Sequence, residues 1–256
     1  MKAVQINSYG GIDVLEVSDN VPKPSPSKNQ VLVEVYAASL NPVDWKIWAG
    51  YFKEMPVKFP MTLGGDFAGR VVKAGEGVNE FKVGDEIFGS AIILNGGSGA
   101  FAEMAAANTA NITQKPRNID FTKACALPLV GCSAVQALEE HIKLQSRQKI
   151  LIHGGAGGIG HIAIQLAKAL GAYVATTVSE DDMDFVKRIG TDQVIGYQNQ
   201  AFEEILKDFD AVFDTVGGEV TDKSFKVVKR GGRLVSMLGQ PNEELAQKFG
   251  VTATLF

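Results

Sequence analysis

Three glycines carry the clearest chemistry in this chain: Gly155, Gly157 and Gly160, at G-x-G-x-x-G spacing within HGGAGGIGHIAIQLAKALGA. At that spacing the first glycine permits a tight turn and the second lets the backbone approach a pyrophosphate. The third lets the next helix pack close to the preceding strand. Free N–H groups at the start of that helix add a partial positive charge facing the anion. The motif means this only between a strand and a helix. Ile150, Leu151 and Ile152 form a short β-forming apolar run before it. From Ile159 to Leu170 apolar residues recur at near-helical spacing, Gly171 supplies a stop, and Tyr173–Val178 reads as a second strand. A dinucleotide is therefore expected on Gly155, Ala156, Gly157, Gly158 and Ile159.

The end of the second strand bears on which dinucleotide. An acidic side chain about 20 residues beyond the glycines normally bonds the ribose 2′-OH of NAD. Here the strand ends Thr176-Thr177-Val178-Ser179 without a carboxylate. That leaves room for a 2′-phosphate, to which Ser179 can donate, so NADPH is expected over NADH. Glu180, Asp181 and Asp182 follow at once and oppose a phosphate unless they face solvent, with Lys187 and Arg188 able to compensate. Plain helix-start acids are the alternative reading. A second glycine-bearing turn, Thr215-Val216-Gly217-Gly218, closes another strand, Asp210–Asp214, at the edge where such sheets bind ligands.

Metal chemistry is not expected. His141, His153 and His161 show no i, i+4 pairing, and they read as packing or surface side chains. Cys125 and Cys132 are too few for a zinc knuckle or a disulfide framework and read as inert buried thiols on one helical face.

The elements that must position these groups divide in two. Up to about residue 118 the chain reads as short strands with glycine turns, a small barrel or sandwich: Lys2–Ile6, Val14–Val17, Gln30–Ala38, Phe67–Lys73, Ile87–Phe88 and Phe101–Ala105, with Ser39–Thr62 a long loop. From 119 to 256 it becomes helical and then alternates. A short helix capped by Asp120 and a longer one after Pro128 precede the alternation. Strands are expected at 149–153, 173–178, 193–196, 210–214 and 232–237, a sixth at 251–256, and helices at 159–170, 181–189, 200–207, 219–229 and 242–248. This pattern is a doubly wound α/β sheet. With 45% hydrophobic and 21% charged residues, a net charge of −4 and no basic block, nucleic-acid binding is disfavoured. No secretory signal or run long enough for a bilayer is visible, so a cytoplasmic chain is expected.

With ASLNPVDWKIWAG (38–50), LGGDFAGRVVKAGEGV (63–78), ALPLVGCSAVQAL (126–138), the glycine block (153–172) and FDTVGG (213–218) in order, the chain resembles the medium-chain dehydrogenase/reductase superfamily, in its zinc-free quinone oxidoreductase (zeta-crystallin-like) branch. The resemblance spans essentially all 256 residues. It implies a GroES-like catalytic domain (1–118), a Rossmann domain (119–256) and a nicotinamide held between them. At the Gly-His-Glu position of the zinc relatives this chain has Gly64-Gly65-Asp66. The resemblance places Asn41, Lys46 and Tyr51 at the reacting end. Asn41 would hold the nicotinamide or a carbonyl oxygen through its NH₂ group, and Lys46 or Tyr51 would supply charge or a proton. It also places Ser133 against the cofactor and Tyr197 near the 2′-phosphate, where a family lysine is replaced by Asp181. The expected activity is NADPH-dependent reduction of a quinone or an α,β-unsaturated carbonyl, with a dinucleotide-binding protein without turnover as the alternative. The usual C-terminal return to the catalytic domain is absent from this sequence. A second copy of the chain is a candidate partner through the last strand.

Overall fold

A computed structural model describes residues 1–56 and 58–256; Val57, inside the long loop expected at Ser39–Thr62, lies outside the described residues. The chain forms two compact units, Met1–Leu129 and Val130–Phe256. The change of sequence pattern near residue 118 precedes this division, because α2 (Phe121–Cys125) packs on the first unit's strands through Ala124 and Cys125, which touch the environment of Ala68.

The first unit holds β1 (Ala3–Ile6), β2 (Glu16–Ser18), β3 (Gln30–Ala38), β4 (Met61–Thr62), β5 (Asp66–Ala74), β6 (Glu86–Ser90), β7 (Met104–Asn108) and β8 (Ile112–Gln114). An antiparallel five-stranded sheet runs β7-β3-β5-β6-β8, and a three-stranded one runs β2-β1-β4. The alternation in β3 works as its sequence suggests: Val31 and Val33 enter a core with Phe67 and Ile87. Its pairing with β5 slips at Leu32/Val33 and again at Val35/Ala37, leaving Val35 only half buried.

Three local expectations change here. Val14–Val17 is not one strand; a tight helical turn at Ile12–Val14 precedes β2. Phe101–Ala105 shifts forward to β7, since Phe101 is drawn instead into backbone bonds with Val4 and Leu63. The loop from Ser39 contains α1 (Pro42–Trp48), started by a proline that fits a first helical turn and by the Asp44 carboxylate accepting the Asn41 N–H at 2.7 Å.

The second unit stacks β9 (Lys149–His153), β10 (Tyr173–Val178), β11 (Gln193–Gly196), β12 (Phe209–Asp214), β13 (Val228–Ser236) and β14 (Thr252–Leu255) in the order β11-β10-β9-β12-β13-β14, all parallel. Helices α4 (Gly158–Ala169), α5 (Met183–Arg188), α6 (Phe202–Ile205), α7 (Glu219–Ser224) and α8 (Glu243–Phe249) link them. Alternate residues of β9 feed two cores. Ile150 and Ile152 pack with Ile164 of α4, while Leu151 packs with Phe209 and Phe225. A sheet covered on both faces is what continuous apolar strands require. Before β9, α3 (Pro128–Val135) runs into a π-helical turn, Gln136–His141, in which the Ile142 N–H reaches the Ala137 carbonyl five residues back. Strand order reverses between β9 and β12, so the carboxyl ends of β9, β10 and β12 open a ligand crevice.

Candidate functional site

In the second unit that crevice is a cleft of about 990 Å³. Its floor is the glycine loop. A Cβ on Gly155 would fall on the Thr176 hydroxyl, and one on Gly160 on the Gly154 carbonyl, so both positions admit only hydrogen. The Gly154 and Gly155 N–H groups are held by the Thr177 carbonyl, each at 3.2 Å. α4 starts from Gly157 with no side-chain cap, leaving its first N–H groups for an incoming anion. This built-in cradle fits the pyrophosphate of a dinucleotide.

A buried polar network holds the loop in place. His153, at the end of β9, is fully buried; its Nδ1 lies 2.9 Å from Thr177 Oγ1 and its Nε2 2.9 Å from Ser224 Oγ. The Ser224 hydroxyl donates to the Val220 carbonyl at 2.7 Å, so it must accept from Nε2–H, and the Thr177 hydroxyl then donates to Nδ1. Burial drives the His153 pKa from the usual 6.5 down to about 4, against the pull of Asp214 and Glu203. The histidine is neutral and structural, a stronger version of the packing role expected for it. Thr215 ties the second loop to this one, its hydroxyl donating to the His153 carbonyl at 2.8 Å. Asp214 fixes that second turn by accepting the Val216 and Gly217 N–H groups at 2.8 and 3.0 Å and the Thr221 hydroxyl at 2.5 Å.

Of the residues expected to touch a cofactor, Ala156, Gly157, Ser179, Tyr197 and Val216 line the cleft. Gly155 and Gly217 are buried in the two turns, and Ile159 packs against the core. Gly158 is exposed at the first turn of α4, and Ser133 is half buried on α3; neither lines the cleft. The structure adds Thr177, Gln198, Asn199 and Asp182. Thr177 was hidden inside an apolar strand pattern, and the amides lie in a loop without periodic signal. Lys187 and Arg188 do not line the cleft, and Lys187 pairs with Asp184 at 3.5 Å.

The first unit gathers a second set. Asn41, Asp44 and Asp66 are buried together. Asp66 Oδ2 accepts from Asn41 Nδ2 and the Leu129 N–H, both at 3.0 Å, and from the Ser39 hydroxyl at 3.4 Å. The Asn41 NH₂ thus donates inside the protein, to Asp66 and, at 3.4 Å, to the Ser39 hydroxyl. Burial lifts the Asp44 pKa from 3.8 to about 6, with Asp66 adding to the rise and the Asn41 N–H opposing it. Burial also raises Asp66, against its three donors. Among the described residues Asp44 Oδ1 has no partner in hydrogen-bond geometry, although the nearby Gly65 N–H also works against the rise of the Asp44 pKa. Five residues along α1, Lys46 lies 6.0 Å from the Trp45 ring, and Trp45 meets the exposed Tyr51 edge-on at 5.3 Å. Cys125 is buried and donates to the Thr122 carbonyl, but Cys132 is exposed on a different helix, so the two thiols share neither face nor burial.

Zinc does not fit these donors. Among the described residues no three His, Cys, Asp or Glu side chains converge, and Asp66, at the position of a zinc relative's glutamate, is surrounded by donors. A zinc site needs nitrogen or sulfur ligands, or carboxylates free to bind.

The fold order, the glycine cradle and the buried acid pair together define a class. The chain belongs to the medium-chain dehydrogenase/reductase superfamily, among its quinone oxidoreductase-like members. The alcohol dehydrogenase GroES-like domain family matches residues 27–117, and the zinc-binding dehydrogenase family matches 158–255. An NADPH-dependent alkenal/one oxidoreductase of Arabidopsis thaliana chloroplasts is 38% identical over 93% of this chain and 63% of its own length. A chloroplast envelope quinone oxidoreductase homolog from the same plant is 35% identical over 94% of this chain and 76% of its own. The structure of the quinone oxidoreductase from Coxiella burnetii, 37% identical, superposes with a TM-score of 0.90 over all of this chain and 82% of that one. The chain spans less than two thirds of the first of these relatives.

Proposed function

We propose that this chain is a zinc-independent, NADPH-dependent reductase of quinones or α,β-unsaturated carbonyls. The observation that carries the reading is the cleft over an uncapped α4 N-terminus, whose glycines leave no room for side chains, in a member of a superfamily with a relative named for NADPH-dependent alkenal reduction. Bound NADPH would supply the hydride. The α4 N-terminus and glycine loop hold the pyrophosphate, Ser179 and Tyr197 stand at the ribose end, and the Val216–Gly217 turn supports the far side. Substrate handling is assigned to the first unit. The half-buried Lys46 and the exposed Tyr51 stabilise charge or give a proton to the reduced product, and the acid pair holds Asn41 at the start of α1. A second copy of the chain pairing along β14 is the partner we assign, since among the described residues that strand is hydrogen-bonded to β13 alone. The exposed Cys132 thiol favours a reducing compartment, the cytoplasm among them.

The test is NADPH oxidation by the full chain with 1,2-naphthoquinone and with a short enone. Turnover on either is expected, and it should fall about tenfold or more in Tyr51→Phe or Lys46→Met if these supply the proton. Saturable NADPH binding without turnover on both substrates would overturn the enzymatic reading.

A further inference from the structure

Of the three acids that follow β10, only one faces the cleft. Glu180 is turned to the Asn199 side chain, and Asp181 is exposed and does not line the cleft. Asp182 lines it, and its Oδ2 accepts the Ser179 hydroxyl at 2.6 Å. Two consequences follow at the spot where a 2′-phosphate would sit. The single proton of Ser179 points at a carboxylate, so the hydroxyl does not offer it to a phosphate. A fixed negative charge stands beside a group that itself carries about −1.5 to −2 at neutral pH.

Among the described residues lining the cleft, Lys223 is the one cation, and it is engaged by Glu203 at 3.8 Å and Glu219 at 3.6 Å. Tyr197, Gln198 and Asn199 offer neutral donors only. A ribose 2′-OH, by contrast, can donate to the second lone pairs of Asp182, the task an acid at the end of the second strand performs in NAD sites.

We propose that Asp182 sets the cofactor preference of this chain: it holds NADPH binding down and gives NADH a hydrogen-bond acceptor, so that the cleft takes both. This rests on the reading of the cleft as a nicotinamide dinucleotide site. Asp182 is a specificity residue in place of the strand-end acid, displaced three residues onto the next helical turn, where its carboxylate returns through Ser179. Like charges set against each other discriminate strongly, and removing one costs the fold little when the residue is half exposed.

The experiment measures dissociation constants of NADPH, NADH, 2′,5′-ADP and 5′-AMP on the wild-type chain, Asp182→Asn and Asp181→Asn. Asparagine keeps an oxygen to accept the Ser179 hydroxyl, so the turn is preserved; Asp182→Ser serves as the second variant. Asp182→Asn is expected to tighten NADPH and 2′,5′-ADP about tenfold and to weaken NADH about threefold, the order for one like charge at a half-exposed site. Asp181→Asn should leave the NADPH/NADH ratio within about twofold, as a charge outside the cleft screened by salt. Equal effects from Asp181→Asn and Asp182→Asn, or an unchanged ratio with both cofactors still binding, overturns the assignment alone. No saturable binding of either cofactor to the wild type overturns the assignment together with the reading of the cleft.

Discussion

Each unit of this protein buries a titratable group beside its candidate site, and the two units do so in opposite ways. In the second, His153 is a base kept free of its proton: both ring nitrogens are satisfied, one by a hydroxyl donor and one by a hydroxyl acceptor. In the first, Asp44 is an acid pushed toward keeping its proton, next to a second raised acid and with one oxygen unpartnered among the described residues. Burial alone explains both directions, since it penalises the charged form of either kind of group. The difference lies in how the remaining polar atoms are met. The histidine network is complete and anchors a backbone loop, whereas the acid pair is incomplete. Incomplete buried networks cost stability and are retained chiefly where a site needs them.

The largest expected effect breaks the complete network. His153→Leu leaves the Thr177 and Ser224 hydroxyls buried without the ring, and should cost on the order of 3 kcal/mol of the second unit's stability in urea unfolding. A loss under about 1 kcal/mol would show the network to be incidental.

Next comes pH, where the two groups pull in opposite senses. The folded His153 pKa, about 4, lies below its ordinary 6.5, so the unfolded chain takes up the proton first. Its contribution is present above 6.5 and is lost as pH falls toward 4. The folded Asp44 pKa, about 6, lies above its ordinary 3.8. Its contribution is present below 3.8 and is lost as pH rises through 6. In the wild type the two offset across the same acid range, each by up to roughly 3 kcal/mol. Asp44→Asn should therefore steepen the decline toward acid by removing the first unit's compensation, and His153→Gln should reverse it. Parallel pH profiles for both variants would contradict the assignment of either shift.

The smallest effect sharpens the comparison at its weakest bond. Ser39→Ala removes a 3.4 Å contact to an acid that keeps two better donors, and should cost about 0.5 kcal/mol by thermal melting.

Much of the second unit was legible in the sequence. Strands at 149–153, 173–178 and 193–196 stand where expected, because buried parallel strands are short apolar runs that glycines and helices bracket sharply. The Asp120 cap also stands as expected, its carboxylate accepting the Lys123 N–H at 2.8 Å. The first unit was less legible. α1 is too short for periodicity to show, with Trp45 and Trp48 on a helix that buries only Asp44 and Ile47. At the site, the glycine loop announced itself because its chemistry is local. Asp182 did not, since three acids in a row look alike until the backbone turns one of them inward. The hydrogen bonds of His153 and of the Asn41 NH₂ were hidden for a related reason: their partners, Ser224 and Asp66, lie 71 and 25 residues away.

The π-helical turn at Gln136–His141 has a consequence for length. A π turn stores one residue more than an α-helical path between the same two ends. Ala134, Ala137 and Leu138 enter the core before the stored residue is used up, and Ile142 and Leu144 enter it afterwards. That segment is therefore a spare link: deleting one residue within it can be absorbed by straightening the coil, whereas the same deletion in α4 would swing every later side chain of that helix off its face.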